Sequence, residues 1–184
     1  MTLIVTQRLK ISLMTLDDAD LLFELDQDPA VMQYINGGEA PSRQEIEDVS
    51  IPRLAKYLNQ EKCWGQWKVF DLNDVFLGWI LIRPMGFFSD KPKLDDLEIG
   101  WRFKQATWGN GIATESALAL INHISQQQDS ISKFSAIADP LNTASIKVMK
   151  KLGMTYIETQ QYHDENEAFD VVLYSLDVTN RKVK

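Results

Sequence analysis

The chain has 184 residues, 45% hydrophobic and 24% charged, with a formal net charge of −7. That length suits one domain, residues 1–184, with a real core, and the ordinary apolar content excludes an intrinsically disordered chain. The acidic balance excludes a general nucleic-acid binder, which needs a basic face, and favours cationic partners such as amines.

The opening residues, Met-Thr-Leu-Ile-Val-Thr-Gln-Arg, lack the basic region and long apolar run of a signal peptide. No apolar stretch approaches bilayer length, so the expected location is cytoplasmic, with no membrane partner. Arg8–Leu13 reads as a short strand. Thr15 is placed to cap a helix with Asp17 and Asp18 in its first turn and Leu16, Leu21, Leu22 and Leu25 on its apolar face; Asp28-Pro29 ends it. Val31–Ile35 is a further helical turn before the Gly37-Gly38 break. Ser42 and Glu45 form a capping box for a helix reaching about Asn59, which Pro52 should kink or split. Cys63 is the single cysteine, so no internal disulfide or cysteine metal cluster is expected.

From Trp64 the hydrophobic period changes. Trp64–Phe70 and Val75–Arg83 are β-rich and joined by a turn at residues 71–74, residues 84–93 read as a loop, and Leu97–Phe103 is the next strand. Residues 112–127 form a helix with Ala113, Ala117, Leu120, Ile121 and Ile124 near one face. Ile131–Ala138 is a strand, Asn142–Leu152 a helix stopped by Gly153, and Met154–Tyr162 with Phe169–Leu176 a final hairpin. The resulting fold class is mixed α/β with an antiparallel first half. A strand–helix–strand unit over 97–138 makes its two strands parallel if they share a sheet.

Residues 98–115 carry the strongest functional signal. A strand with one carboxylate feeds a loop containing Gly109 and Gly111, which opens directly into a helix. Glycine allows a tight turn and close approach of a ligand, and the helix offers unpaired N–H groups and a positive dipole end. By physics alone this is a cradle for an anion such as phosphate. The other reading is a plain strand–turn–helix joint.

Four ordered pieces resemble the GNAT superfamily of acyl-CoA-dependent N-acyltransferases, and within it the branch that includes the bacterial ribosomal-protein N-terminal acetyltransferases. They are Thr6-Gln7-Arg8-Leu9 with Leu16-Asp17-Asp18-Ala19; Asp28-Pro29-Ala30-Val31 with Tyr34-Ile35; Glu98-Ile99-Gly100-Trp101 with Trp108-Gly109-Asn110-Gly111-Ile112-Ala113-Thr114-Glu115; and Asn142-Thr143-Ala144-Ser145 with Lys151-Leu152-Gly153-Met154. One departure is Ala106, where the superfamily often has Gln or Arg; Gln105 stands one residue off.

The resemblance implies a central mixed sheet of about seven strands, splayed at the cofactor site and flanked by about four helices. It implies acetyl-CoA as cosubstrate and no metal, with N–H groups of Trp108, Gly109, Asn110, Gly111, Ile112, Ala113 and Thr114 on the coenzyme A pyrophosphate. Trp101, Arg102 and Phe103 would meet the pantetheine arm through their backbone, and Asn142 would lie against it. Glu98 becomes the general base that frees the amine for attack, and Ser145 the acid that protonates the leaving thiolate. Each has a structural alternative: core packing for Trp101 and Phe103, a backbone- or arginine-bound glutamate for Glu98, an N-cap for Asn142, a first-turn serine for Ser145. Asp95 and Asp96 are either a lure for the cation or a solvated loop, and the polar turn with His163, Asp164, Glu165, Glu167 and Asp170 could border the acceptor. The expected partner is an amine, either a peptide N-terminus or a small molecule, and the expected state is monomer or homodimer. The alternative is a non-catalytic acyl-CoA-binding or partner-docking module. A dinucleotide oxidoreductase is disfavoured by Thr114 at the third glycine position and by the lack of repeated βαβ units.

Overall fold

A computed structural model describes residues 2–164 and 167–179. Among the described residues eight strands hydrogen-bond in the order β1-β2-β3-β4-β5-β6-β8-β7: β1 Leu3–Val5, β2 Leu9–Leu13, β3 Gly65–Asp71, β4 Phe76–Met85, β5 Lys93–Phe103, β6 Lys133–Ala138, β7 Thr155–Asp164 and β8 Glu167–Asp177. This is the mixed α/β architecture expected, with one strand more; β1 is an edge strand of three residues paired antiparallel to β2. The chain divides into two compact units, residues 1–81 with 101–116 and residues 82–100 with 117–184. No helix among the described residues is long and apolar enough to cross a membrane.

In the first unit β2 and β3 pair antiparallel, Ile11 opposite Val69. Alternation along β3 buries Trp67 and Val69, and the Trp67 indole donates to the Cys63 carbonyl at 3.1 Å. Helix α1 (Ala19–Asp26) starts four residues beyond Thr15. The Thr15 N–H instead donates to the Asp18 carboxylate at 2.7 Å, closing a turn ahead of the helix, and Asp18 also binds Lys68 of β3. Helix α2 (Pro29–Asn36) has Asp28 as N-cap and Gly37 closing it in the left-handed region. The Ser42–Glu45 capping box is formed at the start of α3 (Arg43–Glu45). A π-helical stretch, Ile46–Ser50, then leads into α4 (Ile51–Tyr57). Pro52 causes this: it has no N–H and its ring crowds the preceding turn, so the ladder widens and the Ile51 N–H reaches back to Ile46.

In the second unit β6 pairs parallel to β5 and antiparallel to β8. A parallel pair needs a crossover, which α5 (Ile112–Gln127) supplies. Its residues Ala117, Leu120, Ile121 and Ile124, at helical spacing, are fully buried, as are Leu97 and Phe134 of the strands. Helix α6 (Thr143–Lys151) follows β6, and β7 and β8 form the closing hairpin. β5 begins at Lys93, so Asp95 and Asp96 belong to a strand and the solvated-loop reading of them fails.

Candidate active site

In the first unit, Trp101–Phe103 end β5 and a single 3₁₀ turn, Gln105–Thr107, redirects the chain. The Trp108 indole donates to the Phe103 carbonyl at 2.9 Å while its ring stays 47% exposed. Gly109 (φ 78°) and Gly111 (φ 76°) both adopt the left-handed backbone that other residues reach only with strain. A Cβ on Gly109 would meet nothing within 4 Å, so the loop presents bare backbone to open space. Gly111 accepts the Glu115 N–H at 2.9 Å, which makes it the first residue of the α5 ladder. Helix geometry then leaves the N–H groups of Ile112, Ala113 and Thr114 without intrahelical partners. Trp108 to Thr114 thus form one continuous loop and first turn; the Trp108 and Asn110 N–H groups already donate to the Gln105 and Thr107 carbonyls at 3.0 and 3.4 Å, so the donors offered to an anionic diphosphate are concentrated at Ile112–Thr114.

Arg102 does more than line a strand. Its guanidinium donates to Asp26 at 2.6 Å and lies over the Trp79 ring, with 5.0 Å from Cζ to the ring centroid. Phe103 is buried and pressed against Gly78, where β4 and β5 approach closely.

In the second unit, β5 and β6 are in register only from Asp96↔Lys133 to Glu98↔Ser135. β6 continues through Ala136, Ile137 and Ala138 along β8, but Ile99 and Gly100 of β5 have no paired residue on β6 among the described residues. The two parallel strands therefore part company just after Glu98. Glu98 is buried in a two-bond ion pair: Arg83 Nε donates to Oε2 at 2.7 Å and Nη2 to Oε1 at 3.2 Å, with side chains 7% and 6% exposed for Arg83 and Glu98. The structure thus places the expected base against an arginine, which orients both carboxylate oxygens.

Asp96 lies two residues before Glu98, so both carboxylates project from one face of β5. It is 8% exposed, and its Oδ1 has no hydrogen-bond partner among the described residues. Burial holds its carboxyl above the usual range, against the opposing pull of the Ser135 hydroxyl and the Lys93 and Lys133 charges. Asn142 caps α6 by accepting the Ser145 N–H at 3.0 Å, which joins the two residues expected to work together. Both are half-buried. His123 is partly buried on α5, and burial lowers its pKa. Of the polar turn, Glu165 lies outside the described residues, as do the side chains of His163, Asp164 and Glu167.

Three residues were missed as functional candidates: Arg83, Arg8 and Glu115. A lone arginine in the apolar run Trp79-Ile80-Leu81-Ile82-Arg83 was a usable signal, because a buried guanidinium demands a carboxylate.

A bare glycine loop at a helix N-terminus suits an anionic group such as a diphosphate. Residues 8–155 match the acetyltransferase (GNAT) domain family, and the chain belongs to that family. It is an acetyl-CoA-dependent acyltransferase. It is 34% identical over 164 residues to the uncharacterized protein YkkB of Bacillus subtilis, covering 86% of this chain and 88% of that one. Its fold is similar to that of RimL, a ribosomal L7/L12 alpha-N-protein acetyltransferase solved with coenzyme A, at TM-score 0.75 and 19% identity over 97% and 99% of the two chains. It is also similar to AAC(6')-Ib in complex with ribostamycin and coenzyme A, at TM-score 0.76 and 16% identity over 96% and 97%.

Proposed function

We propose that residues 1–184 act as one domain that transfers the acetyl group of acetyl-CoA to a primary amine, by direct attack in a ternary complex. The observation that carries this reading is the loop Trp108–Thr114, whose two left-handed glycines leave bare backbone at the start of α5, with Gly109 facing open space. The acceptor is a protein N-terminus or a small-molecule amine. Both kinds of molecule appear in the names of fold neighbours, one an alpha-N-protein acetyltransferase and one bound to ribostamycin. The net charge of −7 suits a cationic acceptor. We place the enzyme in the cytoplasm, as a monomer or homodimer.

In this mechanism the loop and first turn across Trp108–Thr114 hold the diphosphate, chiefly through the N–H groups of Ile112, Ala113 and Thr114, and Asn142 lies against the pantetheine arm. Backbone along Trp101–Phe103 pairs with the same arm as a strand would. The parting of β5 from β6 after Glu98 supports that role, because it leaves backbone groups without a strand partner. The acceptor reaches the site as an ammonium and must lose a proton before its lone pair attacks the thioester carbonyl. Glu98 accepts that proton, directly or through one water, with Arg83 fixing its carboxylate. Backbone N–H groups stabilise the oxyanion. The carbon–sulfur bond then breaks, and Ser145 protonates the departing thiolate.

A thiol-release assay against a panel of peptides and small amines tests this directly. A genuine acceptor should give stoichiometric thiol and acetylated amine, and Ser145→Ala should slow that turnover at least tenfold. Turnover unchanged in both Ser145→Ala and Glu98→Gln would remove those role assignments.

A further inference from the structure

The cradle loop carries a difficulty of its own. Glu115 stands in the first turn of α5, so a carboxylate sits beside the helix end that has to receive a dianionic diphosphate. The loop ahead of it contains two glycines, the residues that lose most conformational freedom when ordered. A loop that is both repulsive and floppy would be a poor diphosphate site.

Both problems meet in one side chain. Arg8, just ahead of β2, donates from Nε and Nη2 to Glu115 Oε2 at 2.8 and 2.6 Å, and from Nη1 to the Asn110 carbonyl at 3.1 Å. Thr6 adds a hydroxyl bond to the other oxygen, Oε1, at 2.5 Å. The guanidinium therefore grips the chain on both sides of Gly111, and Nη2 lies 3.7 Å from where a Gly111 Cβ would be. Because a peptide unit is planar and trans, holding the Asn110 carbonyl on Arg8 turns the Gly111 N–H to the opposite side. The same contacts neutralise Glu115: burial opposes it, but the Thr6 hydroxyl and the Arg8 guanidinium hold its carboxyl below the usual range. Arg8 is 48% exposed and Glu115 23%, so this clamp is not a core element on which folding depends.

We propose that Arg8, with Thr6, is a positioning residue for the acyl donor: it fixes the peptide orientation of the 109–111 loop and cancels the Glu115 charge, so that the loop accepts the donor's diphosphate. The inference rests on the acyltransferase reading above. Arg8 acts through the loop and takes no part in bond making.

Titration calorimetry with coenzyme A, thermal denaturation and steady-state kinetics on the purified chain test it together. Arg8→Ala should weaken coenzyme A binding and raise the KM for acetyl-CoA at least tenfold, with kcat at saturation within about twofold and melting temperature little changed. Arg8→Lys keeps the charge but cannot span both acceptors, and should fall between. Adding Glu115→Gln to Arg8→Ala removes the stranded carboxylate and should recover a large part of the affinity. With S-acetylpantetheine, a donor lacking the diphosphate, Arg8→Ala and the unsubstituted protein should differ by no more than about twofold. Equal coenzyme A affinity in Arg8→Ala and the unsubstituted protein overturns the clamp alone. An equal loss with S-acetylpantetheine also overturns it, because the defect would not depend on the diphosphate. Failure of the unsubstituted protein to bind coenzyme A overturns the acyltransferase reading and the clamp with it.

Discussion

Replacing Glu98 perturbs two things at once, and the structure allows them to be separated. Glu98 and Arg83 are almost wholly buried and joined by two N–H···O bonds of 2.7 and 3.2 Å. Removing one member of such a pair takes the close counter-charge from a buried ionised group, at a cost of about 3–5 kcal/mol. Glutamine keeps one acceptor oxygen, so Glu98→Gln belongs at the low end, about 3 kcal/mol. For a chain of this size each kcal/mol lowers the melting temperature by about 2–4 °C, giving a fall of about 6–12 °C. The double variant Arg83→Met with Glu98→Leu removes both charges and fills the space with apolar atoms, and should return to within about 2 kcal/mol of the starting stability. Thermal denaturation by circular dichroism reads the stability, and thiol release with a verified acceptor reads the chemistry. If Glu98 takes the amine proton, the double variant regains its fold but not its rate, remaining about 10²–10⁴-fold slower. A Glu98→Gln melting temperature within 2 °C of the parent would refute the counter-charge argument. A fully active double variant would refute Glu98 as the base.

Two further changes probe the frame around this site. A Cβ on Gly78 would stand 2.3 Å from the Arg102 carbonyl oxygen and 2.7 Å from the Phe103 Cα, against backbone that cannot swing aside. Gly78→Ala should therefore cost at least about 3 kcal/mol, seen in urea unfolding; a cost under about 1 kcal/mol would show that β4 and β5 yield easily. Asp96 tests the sign of a pH effect. Its folded-state pKa is raised, chiefly by burial, so its ionisation opposes folding, and the parent loses stability as pH climbs from about 4 through the folded value. Asp96→Asn lacks that loss, so its melting temperature relative to the parent should rise between pH 4 and 7; a flat or falling difference would contradict the assignment.

What the sequence revealed and what it hid follow from the range of the forces involved. The cradle was legible because glycine spacing, a helix start and the preceding strand are all local, as were the Ser42–Glu45 box and the apolar face of α5. The start of α1 was misplaced by three residues because residues 15–18 close as a separate turn, in which Asp18 accepts the Thr15 N–H and also binds Lys68 fifty positions on. β1 exists only as an edge paired to β2, and three residues carry no readable alternation. Arg8 and Glu115 are 107 residues apart, and Arg83 and Glu98 meet across strands. Such pairings have no period and appear only when topology is known. The identity of the acceptor is hidden for a different reason: a fold does not fix its substrate, and no short motif in the chain encodes one.

The short register between β5 and β6 has a practical consequence. Beyond Ser135, β6 keeps its ladder with β8 on one edge but loses its β5 partner on the other. The amides on that open edge should exchange with solvent deuterons far faster than those facing β8, although they lie on the same strand. Residues 136–138 are therefore a built-in reporter. Protection of alternate amides there would register any ligand that pairs with this edge, without label, chromophore or knowledge of the acceptor.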